Sequence, residues 1–281
     1  MHRLLTGPLT VERVTVPIRD LPERLQGCRI VQLSDFHFDG LRLSPWLLQA
    51  AIEKTQALAP DLIALTGDFV TKDPAPIFTL AKYLKALNSR FGTFAVLGNH
   101  DNLSLRGRQT IIQALTAVGI TVLWNETAYP FGPEFPLVGL ADYWSGEFAP
   151  RKALSDLSPD LPRLVLSHNP DTAGSMSLQQ WRVDLQLSGH THGGQIVLPG
   201  LGPLVSIAQQ PRFRRLRQAL PFSRKDCDRV VQHWEWASGL HRVGESWLYV
   251  NQGLGTYLPG RLFCPPELTE ITLTRQGASQ G

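Results

Sequence analysis

Ile30-Val31-Gln32-Leu33-Ser34-Asp35-Phe36-His37 is an apolar run that ends in a carboxylate and an imidazole two residues apart. Residues 30–33 read as a buried strand. Asp and His donate lone pairs to metal ions, so the strand delivers ligands at its end. The chain repeats the pattern four more times. The runs 62–65, 93–97, 164–166 and 185–187 lead to Gly67-Asp68, Gly98-Asn99-His100-Asp101, Ser167-His168-Asn169 and Gly189-His190-Thr191-His192. One D-x-H carries almost no information, and Asn99 alone fits a turn. Five donor clusters, each just past a strand, read as one site beyond the carboxyl ends of a sheet, where open α/β sheets place theirs.

The clusters supply seven donors: Asp35, His37, Asp68, Asn99, His168, His190 and His192. Seven exceed what one tetrahedral ion takes and suit two ions with a shared bridge. Aspartate bridges best, because its two oxygens can face two cations. Residues i and i+2 of an extended segment point the same way, so Asp35 with His37, and His190 with His192, are each expected to face one pocket. Glycines beside the donors allow sharp turns and close approach. Asp142, after the run 136–140, is a weaker candidate, for the pocket rim or simply for a turn.

The ordered set DxH, GD, GNHD, H and GHTH resembles the calcineurin-like metallophosphoesterases. The longer forms Ser167-His168-Asn169-Pro170-Asp171 and Gly189-His190-Thr191-His192-Gly193-Gly194-Gln195, with Tyr249-Val250-Asn251-Gln252-Gly253-Leu254-Gly255, resemble a bacterial branch of small phosphodiesterases. Some of its members act on membrane lipid or a lipid A precursor. The resemblance implies a four-layer α/β/β/α sandwich with two mixed sheets. It implies that Asp35, His37 and His192 hold one metal, that Asn99, His168 and His190 hold the other, and that Asp68 bridges. The ions implied are manganese, iron or zinc, since such a donor set accepts each. A water activated by both metals would attack the phosphorus in line. His100 would stabilise charge or protonate the leaving oxygen, and Asp101 would orient and charge His100. The best-known UDP-2,3-diacylglucosamine hydrolases carry Arg at the place of His100, so the chain resembles the other branch.

Around this site the sequence reads as mixed α/β with two sheets and helices outside. Strands and helices alternate first and strands dominate later. Val14, Val16 and Ile18 alternate with polar residues, and Pro17 suits an edge strand. Ser44-Pro45 starts a helix that runs to about Leu58, and Ser104 caps another that Gly119 ends. Ile77, Leu80, Ala81, Leu84 and Leu87 fall at helical spacing. Later strands are expected at 120–123, 136–140, 163–166, 183–187, 196–198, 247–251 and 267–273.

No domain boundary or repeat interrupts residues 1–281, which read as one domain with a basic insertion at about 209–236. That segment holds Arg212, Arg214, Arg215, Arg217, Arg224, Lys225 and Arg229. Phe213, Leu216 and Leu220 fall near helical spacing within it, and Trp234 and Trp236 follow. A basic amphipathic helix beside tryptophans suits an anionic membrane surface, and a solvated loop is the plainer alternative. A net charge of +3 is too small to imply nucleic acid, and no fold signature for nucleic acid is present. Three cysteines without C-x-x-C exclude a disulfide framework and a thiolate zinc site. Neither an h-region nor a membrane-length apolar run is present, so a cytoplasmic protein, peripheral at most to the inner membrane face, is expected. The activity expected is hydrolysis of a phosphodiester or pyrophosphate by metal-activated hydroxide. A soluble enzyme for small or cyclic nucleotide diesters, or a metal-binding membrane adaptor without catalysis, is the alternative.

Overall fold

Two six-stranded sheets face each other. The computed structural model describes residues 5–209 and 231–277. In chain order the strands of the first half are β1 (Thr10–Ile18), β2 (Arg29–Leu33), β3 (Leu62–Leu65), β4 (Thr93–Ala95), β5 (Ile120–Val122), β6 (Glu126–Ala128) and β7 (Leu137–Gly139). Those of the second half are β8 (Leu164–Leu166), β9 (Leu185–Ser188), β10 (Val197–Leu198), β11 (Gly202–Pro203), β12 (Gly239–Val243), β13 (Ser246–Val250) and β14 (Glu267–Arg275). The first sheet runs β1-β14-β2-β3-β4-β5 and the second β12-β13-β9-β8-β7-β6. Both are mixed: β2 to β5 are parallel and β14 opposes β2, while β13, β9, β8 and β7 are parallel with antiparallel edges.

Helices α1 (Pro45–Ala57), α2 (Ile77–Leu84) and α3 (Leu105–Thr116) cover the first sheet, and α4 (Pro150–Leu154) and α5 (Thr172–Leu178) the second. A further short helix, α6 (Leu204–Gln209), follows the β10–β11 hairpin. The expected helix starts are those observed. The Ser44 hydroxyl accepts the Leu47 N–H at 3.2 Å with Pro45 as first helical residue, and Ser104 accepts from Gly107 at 3.1 Å. Each cap satisfies a backbone donor that the first turn leaves without a partner.

The alternation of the strands sorts their side chains into layers. Ile30, Leu62, Ala64, Phe94 and Ile271 of the first sheet meet Leu137, Leu164, Leu166, Leu185, Leu187 and Tyr249 of the second, and this is the central core. Val31, Leu33, Ile63 and Leu65 point the other way, onto α1 to α3. Val138, Val165 and Met176 pack outside the second sheet. The result is the four-layer α/β/β/α sandwich. β1 with Pro17 lies at the edge of its sheet, where a missing N–H costs no ladder bond.

The basic helix expected after Gln209 lies outside the described residues. The two tryptophans that follow it are described, and they do not form a surface belt. Trp234 is buried with Val231 and Ala237, and Trp236 packs on Ala173, Val243, Leu248 and Val250 with its ring stacked on His233. Apolar surface on the second sheet holds Trp236, and Val205 of α6 packs against the cluster that holds Trp234.

Candidate metal centre

All five donor clusters sit past the carboxyl ends of parallel strands. β2, β3 and β4 lead to Asp35 and His37, to Asp68, and to Asn99 and His100; β8 and β9 lead to His168 and to His190 and His192. Ligand atoms of Asp35, His37 and His192 lie within 4.8 Å of one another, as do those of Asp68, His168 and His190, and those of His37, Asp68 and His100. Asn99 joins the second group with its Oδ1 3.2 Å from His168 Nε2. The seven expected donors and His100 therefore converge.

They converge by a different route from the extended alternation expected. Asp35, His37, Asp68, His190 and His192 all have positive φ, from 41° to 75°. Left-handed backbone costs non-glycine residues about 1–3 kcal/mol each and persists where the surroundings over-determine it. Here each turn swings its donor back over the strand ends. One result is that His190 and His192 part company: His190 faces His168, and His192 faces His37 and Asp35. Asp68 also departs from the two-oxygen bridge. Its Oδ2 alone is 3.3 Å from both His37 Nε2 and His168 Nε2, while Oδ1 accepts the His100 N–H at 2.9 Å. That Oδ1 leaves no room beside it, since a Cβ on Gly98 would come within 2.1 Å.

The outer nitrogen of most of these rings is tied to an oxygen. His168 Nδ1 meets Thr66 O at 2.7 Å, His192 Nδ1 meets Gly255 O at 3.3 Å, His100 Nδ1 meets Thr71 O at 2.6 Å and His37 Nδ1 meets the Tyr257 hydroxyl at 3.1 Å. A nitrogen facing a carbonyl carries the hydrogen, so the opposite Nε2 presents a lone pair inward. The lone pairs then face each other: His37 Nε2 and His192 Nε2 are 3.1 Å apart, and His168 Nε2 and His190 Nδ1 3.0 Å. Nitrogens so opposed require a proton or a cation to share. At His168 a proton fills that place when no ion does. Burial works against a charged His168, but Asp68 outweighs it and holds that ring's pKa up at about 10. At His192 burial prevails over Asp35 and pushes the pKa down to about 3. Asp35 and Asp68 remain ionised despite burial because the histidines lower their pKa values. Two carboxylates among inward lone pairs fit divalent cations.

Asp101 is placed otherwise than expected. Its Oδ1 accepts the Phe69 and Val70 N–H groups at 2.9 and 3.2 Å and its Oδ2 the Gly98 N–H at 3.0 Å. It locks the Asp68 and Asn99 loops together, and the partner of His100 is the Thr71 carbonyl instead. Asp142 makes the turn foreseen, accepting from Trp144 N at 3.0 Å, yet it is buried beside the centre. Burial first, then Asp68, raises its pKa to about 6 against the opposing charge of His168.

Two contributors have no signature in the sequence. Tyr257 lies edge-on to His37 and His192, with Arg42 over its ring at 4.4 Å. Burial, then the charge of Asp68, pushes its phenol pKa up, so it stays protonated. Arg261, also buried, donates to the carbonyls of Gln252, Gly253 and Gly255 and so fastens the loop that backs Asp35 and His192. Neither falls in a strand-end cluster, and only the long-range contacts expose them.

Comparison with known proteins points the same way. Residues 28–194 match the family model of the calcineurin-like phosphoesterases. The chain is 35% identical to the Escherichia coli phosphodiesterase YaeI over 87% of this chain and 82% of that one. It is 31% identical to the UDP-2,3-diacylglucosamine pyrophosphatase LpxG of Chlamydia trachomatis, over 91% of this chain and 87% of the other. It is 33% identical to the metallophosphoesterase YkuE of Bacillus subtilis, over 90% and 81%. With a family match across more than half its length, the chain belongs to the calcineurin-like phosphoesterases, hydrolases of phosphoric esters that work with divalent metal ions.

Proposed function

We propose that this chain hydrolyses a phosphodiester or pyrophosphate bond in a lipid-linked substrate, using two divalent ions. Asp35, His37 and His192 would hold one ion and Asn99, His168 and His190 the other, with Asp68 shared by both donor groups. The observation that carries this reading is the pair of opposed histidine nitrogens, 3.1 and 3.0 Å apart, on either side of one aspartate oxygen. When bound, manganese, iron or zinc ions neutralise charge on phosphoryl oxygens and lower the pKa of the attacking water.

The protein's own groups do the rest. His100 Nδ1 is fixed to Thr71 O, so its Nε2 is the atom that exchanges a proton with the leaving oxygen. Asp39 holds Thr71 through its hydroxyl at 3.0 Å, and Asp101 holds the loop that carries Asn99 and His100. A lipid-linked ester is supported by an apolar lip. Leu258, Leu262 and Phe263 are 80%, 50% and 67% exposed, on a segment fastened to Gln195 just past His192. Exposed apolar side chains gathered beside a site mark a surface that takes an apolar partner. The similar proteins named for phosphodiesterase and UDP-2,3-diacylglucosamine pyrophosphatase activity support hydrolysis of a phosphoester, and the second name supports a lipid-linked one.

The test is hydrolysis of an activated phosphodiester with added manganese, comparing wild type with Asp68→Asn. Removing the shared oxygen's charge is expected to lower the rate by about 100-fold or more. Undiminished hydrolysis in the variant would sink the two-ion reading. Turnover of water-soluble diesters without any turnover of lipid-linked ones would sink the substrate class alone.

A further inference from the structure

The Tyr257 hydroxyl lies 3.1 Å from His37 Nδ1, and its ring packs beside those of His37, His192 and His100 at the metal centre. The direction of that hydrogen bond follows from counting hydrogens. His37 presents Nε2 inward, 3.1 Å from His192 Nε2 and 3.3 Å from Asp68 Oδ2, and with an ion held there, as the proposed function has it, Nδ1 carries the ring's hydrogen. That hydrogen is donated to the Tyr257 oxygen, 3.1 Å away. The phenol oxygen is thus an acceptor toward His37, and its own O–H turns elsewhere. A phenol hydrogen lies near the ring plane, and this ring stands edge-on to His37 and His192 and is 6.4 Å from the His100 ring. The ring cannot swing out freely. Arg42 lies over its face at 4.4 Å, itself paired with Asp39, and the Tyr257 N–H donates to Gln195 Oε1 at 2.7 Å.

We propose that Tyr257 is a substrate-binding residue whose O–H donates to a phosphoryl oxygen, placing a tetrahedral phosphoryl group between the metal donors and His100. This rests on the phosphoester reading above. The residue has two linked duties: its oxygen orients His37 and its hydrogen binds the anion. A neutral donor here adds recognition without a further positive charge, so it favours a phosphoryl oxygen through geometry rather than field strength.

The two duties separate experimentally in Tyr257→Phe of the full chain, loaded with manganese to verified full occupancy. Inorganic phosphate, titrated calorimetrically, is the probe. The variant is expected to bind phosphate about 10-fold more weakly and to lose about 10- to 100-fold in kcat/KM on a diester, while still reaching the wild-type metal stoichiometry. Unchanged phosphate affinity at full occupancy would overturn the proposal, leaving Tyr257 as an anchor for His37 alone. A loss of activity that metal excess fully restores would overturn it in the same way. Wild type that binds no phosphate at full occupancy would overturn the phosphoester reading along with it, so the two failures are told apart.

Discussion

Glu267 receives every one of its hydrogen bonds on a single oxygen. Tyr249, Thr269 and Asn251 donate to Oε1 at 2.7, 2.6 and 3.3 Å, while the buried Oε2 has no partner. That is the pattern of a carboxylic acid, with Oε1 as carbonyl and Oε2 as hydroxyl. Burial raises the pKa, against the donors from Thr269 and Tyr249 that lower it. The adjacent strand carries Gln32, paired in register with Thr269, whose Oε1 also lacks a donor. An acid with a raised folded pKa keeps its proton above about pH 4.5, where the unfolded chain has lost it. The folded state then binds more protons, so stability falls as pH rises from there through the folded pKa. Urea denaturation from pH 5 to 9 should show a flatter pH dependence for Glu267→Gln than for wild type. Equal slopes would mean that Glu267 is ionised in the folded protein. Nothing in the sequence around Glu267 announces this, because Tyr249 on β13 and Asn251 just past it reach across from the other sheet.

At the scale of elements, what was legible followed from how fully each was buried. β2, β3, β8 and β9 lie inside their sheets and read as plain apolar runs with donors at their ends. β6 and β12 are edge strands, half-exposed, with Glu126, His241 and Arg242 interrupting any alternation, and the sequence offers no pattern to find them by. The donors were legible because Asp and His at strand ends are chemically specific. Their left-handed backbone was not, because φ is set by the loops packed around them. Arg261 and Tyr257 were missed for a related reason, since the hydroxyl of Tyr257 meets a residue 220 positions away. The loop after β13 tests this view. Gly253 has φ of 72°, and a Cβ there would approach the Asp35 Cβ to 2.5 Å. Gly253→Ala is expected to destabilise by about 1–3 kcal/mol through overpacking. It should also weaken the ion held by Asp35 more than its neighbour, read by thermal melting with and without manganese. A variant with wild-type melting and full metal content would show that the loop yields without moving Asp35.

For the whole molecule, the four layers bring the ends of two sheets to one rim, and residues 232–237 are fastened to that rim. Thr191, between two histidines of the centre, donates to Ala237 O at 2.6 Å, and Asp171 accepts the N–H groups of Gln232 and His233 at 2.7 and 3.0 Å. The seven cations of 212–229 lie in the sequence between His192 and this anchored stretch, outside the described residues. No helix among the described residues is long and apolar enough to cross a membrane. Docking on an anionic surface would rest on those cations, at about 1 kcal/mol for each one near the surface. Wild type should float with anionic vesicles at low salt and not with neutral ones, and replacing Arg212, Arg214, Arg215 and Arg217 by Gln should abolish it. Wild type left at the bottom of the gradient with anionic vesicles would dismiss the membrane.

β14 lies between β1 and β2, parallel to the one and antiparallel to the other. Two strands that are neighbours in sequence are thus held apart by the last strand of the chain. The seam between β1 and β2 is closed only by residues 267–275, far along the chain. Long-range pairing of this kind slows folding. Asp35 likewise depends on distant residues, since Gly253 and Gly255 pack against it. The metal centre is thus completed by contacts between residues that are distant in sequence.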